Sequence, residues 1–89
     1  MLLPEAEKRV VLIVDDEPQV VAALSDALED DYRVITAPSP EAALAMLKAD
    51  KGISVVISDQ RMPRMTGDQL LARAQRVSIA ARVLITAYA

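Results

Sequence analysis

The run Val10-Val11-Leu12-Ile13-Val14 passes directly into Asp15-Asp16, and a second run, Ile53-Ser54-Val55-Val56-Ile57-Ser58, passes directly into Asp59. Short apolar runs rich in β-branched residues are the pattern of strands buried on both faces of a sheet. Parallel strands in an α/β sheet present ligands at their carboxyl ends, in the crevice where the strand order reverses. If these two strands are neighbours, three carboxylates meet at one point. Close anions call for a cation, and hard carboxylate oxygens are what Mg²⁺ takes while keeping several waters.

Working outward, strand and helix patterns alternate. Pro18 suits the first turn of a helix, where its missing N–H costs nothing. Val20, Val21, Leu24, Ala27 and Leu28 then form an apolar stripe opposite Ser25, Asp26 and Glu29. Residues 33–37 read as a second strand. Ser39-Pro40-Glu41 combines a capping hydroxyl, an N1 proline and a first-turn acid. The helix it opens carries Ala43, Leu44 and Leu47 inward, Lys48 and Lys51 sit near its negative end, and Gly52 suits a C-terminal cap. Residues 53–58 are the third strand. Thr66-Gly67-Asp68-Gln69 has capping-box spacing and predicts a third helix running to Arg76, with Leu70, Leu71 and Ala74 inward. Residues 82–86 read as a fourth strand. The order βαβαβαβ predicts an α/β fold with a parallel sheet, right-handed crossovers and helices on its faces.

Composition agrees with a single small domain. The 89 residues are 53% hydrophobic, with two Tyr and neither Phe nor Trp, so the core is aliphatic. Ten basic residues against thirteen acidic ones give a formal charge of −3, which is no footprint for nucleic acid or an anionic membrane. Without cysteine there are no disulfides and no thiolate metal site. Met1-Leu2-Leu3 is too short for a signal-peptide core and no run reaches membrane-spanning length, so a cytoplasmic location is expected.

Taken singly, the notable residues have plain explanations. Asp15-Asp16 before a helix favours its positive end, and Asp59 is an ordinary loop acid. Thr86 at the end of a β-branched run is a strand residue. Met62 and Met65 pack, Pro63 and Gly67 shape a connection, Arg61 and Arg64 form a solvated edge, and Tyr88 packs. Capping does not account for acids at the ends of two buried strands at once.

The segment Asp59-Gln60-Arg61-Met62-Pro63-Arg64-Met65-Thr66-Gly67 resembles the phosphoacceptor loop of receiver domains of two-component response regulators. The matching elements are the Asp, the Met-Pro that follows it, and the later Met-x-Gly. Asp15-Asp16 after the first strand and Thr86-Ala87 after the fourth match the same family, so the resemblance covers residues 10–89, behind an N-terminal tail of residues 1–9. It implies a flavodoxin-like, doubly wound parallel sheet. It further implies that Asp59 is the phosphoacceptor, taking a phosphoryl group from a sensor histidine kinase, a phosphotransfer protein or a small donor. Asp15, Asp16, Asp59 and the backbone carbonyl of Arg61 would bind Mg²⁺. The Thr86 hydroxyl would meet a phosphoryl oxygen, and Ala87 would offer its N–H. Such a module signals, and the only reactions it catalyses are its own phosphorylation and dephosphorylation.

A complete receiver continues with a helix, a fifth strand ending in Lys and a final helix, whereas this sequence stops at Ala89. Lys8 precedes the first strand and Lys48 and Lys51 follow the second helix, so none takes the fifth-strand position. Residues 10–89 are therefore expected to be a partial receiver domain, lacking the fifth strand and last two helices. Either the chain is a fragment, the favoured reading, or a second copy completes the sheet along an open edge at Val83-Leu84-Ile85. The competing function is a non-phosphorylated pseudo-receiver or assembly module that oligomerises through that edge. A phosphatase of the haloacid-dehalogenase type fits less well, because it needs Asp-x-Asp where this chain has Asp15-Asp16-Glu17. A nucleotide or flavin site lacks the glycine-rich loop it would need after the first strand.

Overall fold

Strands β1 (Arg9–Val14), β2 (Tyr32–Ala37), β3 (Ile53–Asp59) and β4 (Ala81–Ile85) form one parallel sheet of order β2-β1-β3-β4. The structure is a computed structural model and describes residues 4–86. Helices α1 (Pro18–Leu28), α2 (Pro40–Ala49) and α3 (Gly67–Ala74) alternate with the strands, as the sequence pattern predicts, in the flavodoxin-like arrangement that the resemblance implies. A short 3₁₀ turn at Glu5–Glu7 precedes β1.

The pleat of β1 divides the core. Val10, Leu12 and Val14 join Val56, Ala43 and Leu47 of α2, and Leu70, Leu71 and Ala74 of α3, in the larger cluster. Val11 and Ile13 point the other way and meet Ile57, with Val21, Leu24 and Leu28 of α1 packed against them. Among the described residues, two helices cover the first face and one covers the second. That imbalance explains α1: its apolar side rests on the sheet, yet none of its residues is fully buried and Ala27 of the expected stripe is exposed.

Element boundaries move for identifiable reasons. β3 runs one residue further than expected because Asp59 still pairs with Ile85, and Thr86 lies just beyond β4. α3 stops at Ala74 rather than Arg76, its end tightened by Arg76 N–H to Arg73 O and Val77 N–H to Ala74 O bonds at 3.1 and 3.0 Å. Gly52 does not cap α2 with a positive φ. Asp50 turns the chain instead, its Oδ1 accepting the Gly52 N–H at 2.8 Å. No helix among the described residues is long and apolar enough to cross a membrane.

Candidate functional site

The chain leaves β1 to form β2 on one side and β3 on the other, so the strand order reverses between β1 and β3. That crevice is where open α/β sheets bind ligands. Val14 is level with Ser58, so the residues that follow each, Asp15 and Asp59, emerge side by side at the carboxyl edge. Asp15, Asp16 and Asp59 each offer a carboxylate oxygen, and these atoms lie within 4.8 Å of one another.

The three acids sit in different surroundings. Asp15 is buried, Asp59 is half-buried and Asp16 is exposed. Burial raises the Asp15 pKa above the usual carboxylate value, and the neighbouring charges of Asp59, Asp16 and Glu17 add to the rise. A hydrogen bond from the Glu17 N–H to Asp15 Oδ1, at 2.9 Å, opposes them. Capping therefore describes only part of what Asp15 does.

This donor set suits Mg²⁺. An octahedral Mg²⁺ holds oxygens at about 2.0–2.1 Å, which puts opposed ligands about 4.2 Å apart. Three carboxylate oxygens gathered within 4.8 Å are near enough for one cation to draw together, adjacent octahedral ligands standing closer still, at about 3 Å. All three lysines lie away from the site, at the amino edge of the sheet. Lys8 precedes β1 and pairs with Glu5 at 3.2 Å, Lys48 lies in the last turn of α2 rather than after it because the helix runs on to Ala49, and Lys51 donates to Val77 O at 2.7 Å.

The β3–α3 connection is anchored at several points. Met65 is buried and Met62 packs against the larger cluster, as the packing reading of both methionines expects. Arg64 takes a left-handed backbone conformation, φ 69°, and its guanidinium lies 3.8 Å from Glu41 at the start of α2. Both partners are well exposed, so this ion pair contributes little to stability. Gly67 has a specific reason to be glycine. A Cβ there would collide with the Asp59 carbonyl and come to 2.7 Å from Leu84 Cδ1.

Two neighbours of Asp59 were not singled out from the sequence. The Ser58 hydroxyl, fully buried, donates to Asp59 O at 2.9 Å. Gln60 donates its N–H to Ile85 O at 3.0 Å and accepts the Gly67 N–H on its carbonyl at 3.1 Å. Its side-chain Oε1 accepts the Asp68 N–H at 2.9 Å. No periodicity announces such bonds, because their partners are backbone groups set by the tertiary fold.

Of the other sequence candidates, Thr86 follows the residue that pairs with Asp59, which brings it to the same edge of the sheet. Arg61 is an exposed residue of the loop after β3. Ala87 and Tyr88 lie outside the described residues.

A family model for the response regulator receiver domain matches residues 11–89. The hydrogenase transcriptional regulatory protein HoxA of Cupriavidus necator is 36% identical over 83 residues, covering 92% of this chain and 17% of that protein. The two-component response regulator PprB of Pseudomonas aeruginosa is 37% identical over 76 residues, covering 84% of this chain and 28% of that protein. The chain thus spans well under a third of the length of these curated relatives. Among solved structures, the response regulator protein TrrA of Thermotoga maritima, in complex with Mg²⁺-BeF, aligns with a TM-score of 0.82 at 31% identity. That alignment covers 91% of this chain and 71% of the TrrA chain.

Proposed function

Because this chain belongs to the response regulator receiver domain family, a family of signalling modules, we propose that residues 10–89 accept a phosphoryl group on Asp59 in a Mg²⁺-dependent reaction. The observation that carries this reading is the meeting of Asp15, Asp16 and Asp59 at the switch point of the sheet.

In this reading a carboxylate oxygen of Asp59 attacks the phosphorus of the donor. A P–O bond forms as the P–N bond of a phosphohistidine, or the P–O bond of a small acyl phosphate, breaks. Asp15 and Asp16 hold the cation beside Asp59, and the Arg61 carbonyl completes the protein's share of ligands. When bound, Mg²⁺ supplies charge neutralisation at the phosphoryl oxygens, the main catalytic need of a transfer with little covalent chemistry for the protein to do. The Thr86 hydroxyl donates to a phosphoryl oxygen once Asp59 is modified, and the Ala87 N–H offers a second donor. The partner upstream is a histidine kinase or phosphotransfer protein, and a cytoplasmic site of action goes with it. The protein's own reactions are the gain and loss of its phosphoryl group.

Incubation with Mg²⁺ and acetyl phosphate, followed by intact-mass measurement, tests the proposal. One added phosphoryl group is expected, dependent on Mg²⁺ and lost in Asp59→Asn. Uptake that persists at full level in Asp59→Asn overturns the assignment.

A further inference from the structure

Gln60 stands immediately after Asp59, and its hydrogen bonds tie the end of β3 to β4 and to the start of α3. Its N–H joins β4 through Ile85 O at 3.0 Å, and its carbonyl takes the Gly67 N–H at 3.1 Å. Its side-chain oxygen reaches eight residues along the chain to the Asp68 N–H at 2.9 Å. The Gly67 and Asp68 N–H groups are first-turn donors of α3, which have no partner within their own helix. One residue thus satisfies two of them and closes the base of the loop over residues 61–66.

We propose that Gln60 is a positioning residue, its two-point clamp on the start of α3 holding the Arg61 carbonyl and the Asp59 carboxylate in one relative placement. This inference rests on the phosphoacceptor reading. The backbone bond to Gly67 fixes one point at the base of the loop. The side-chain bond to the Asp68 N–H fixes a second. Ordering paid for in the metal-free protein need not be paid again when the cation binds. The pair is also reciprocal: hydrogen bonds from the Thr66 hydroxyl, first, and then from Gln60 hold the Asp68 carboxyl below its usual pKa.

The test compares the wild type, Gln60→Leu, and the swap Gln60→Glu with Asp68→Asn, which exchanges carboxylate and amide across the pair. Calorimetry measures Mg²⁺ affinity at a temperature where circular dichroism shows each protein folded. Gln60→Leu is expected to weaken Mg²⁺ binding about three- to tenfold, the range that one net hydrogen bond supports. Its phosphorylation by acetyl phosphate should slow at low Mg²⁺ and recover at saturating Mg²⁺. The swap should restore affinity to within about twofold of wild type, which a general loss of stability would not do. If Gln60→Leu does not fold, Gln60→Asn, one methylene short of Asp68, takes its place in the comparison.

Wild-type Mg²⁺ affinity in the truncated side chain, or a swap no better than leucine, overturns the inference. Phosphoryl uptake by wild type and Asp59→Asn is measured alongside. Failure there removes the phosphoacceptor reading, whereas unchanged Mg²⁺ affinity on loss of the Gln60 side chain removes only the positioning role.

Discussion

Asp15 is the residue at which site and stability pull in opposite directions. Its folded-state pKa lies above the ordinary value, first through burial and then through the charges of Asp59, Asp16 and Glu17. The folded protein therefore binds this proton more tightly than the unfolded chain does, and stability falls as pH rises through the interval between the two values. Below the unfolded pKa, about 3.9, both states are protonated and the penalty vanishes. Thermal melts in a chelator should accordingly show Asp15→Asn more stable than wild type at pH 7, with the two converging at low pH. Mg²⁺ at a hundred times its dissociation constant should stabilise the wild type by about 2.7 kcal/mol, and Asp15→Asn by much less. Gly67→Ala is a second test at this scale. Its methyl meets the Asp59 carbonyl and Leu84, so a loss of about 1–3 kcal/mol is expected from the urea midpoint. The three acids were legible because they tip two uninterrupted apolar runs. Gly67 reads from the sequence only as shaping a connection, since its close backbone approach is a tertiary fact. Ser58 and Gln60 were silent because they act through backbone groups that no side-chain pattern records.

At the level of elements, the two faces of the sheet give neighbouring helices different weight. Leu47 of α2 is completely buried between the sheet and α3, while Leu24 of α1 is only half-buried on the face that carries a single described helix. Leu47→Ala should cost about 3 kcal/mol or more, near the middle of the range for full burial, and Leu24→Ala about 1 kcal/mol. Chemical denaturation of both variants checks the ratio, and equal losses would contradict the packing described. Periodicity predicted which side of each helix turns inward, and Ala43, Leu47, Leu70, Leu71 and Ala74 are all buried. It could not report depth: the same stripe logic applied to α1, where Ala27 ends in solvent. Strand ends were likewise off by a residue, because Asp59 keeps a ladder partner although its side chain belongs to the site.

For the molecule as a whole, the order β2-β1-β3-β4 sets both the site and a liability. It makes β1 and β3 neighbours, which brings the acids together, and among the described residues it leaves β4 at an edge, with Val83 and Leu84 about two-fifths exposed, at 42% and 40%. Unpaired edge strands with apolar side chains template association with other chains. The central claim concerns the opposite feature, the shared carboxyl ends of β1 and β3. It is tested most directly by exposing the protein to acetyl phosphate with Mg²⁺, trapping acyl phosphate with borohydride, and mapping the reduced residue by peptide mass spectrometry. Reduction of Asp59 to homoserine, dependent on both donor and Mg²⁺, is the predicted result; reduction at Asp15 or Asp16, or at no aspartate, would contradict it.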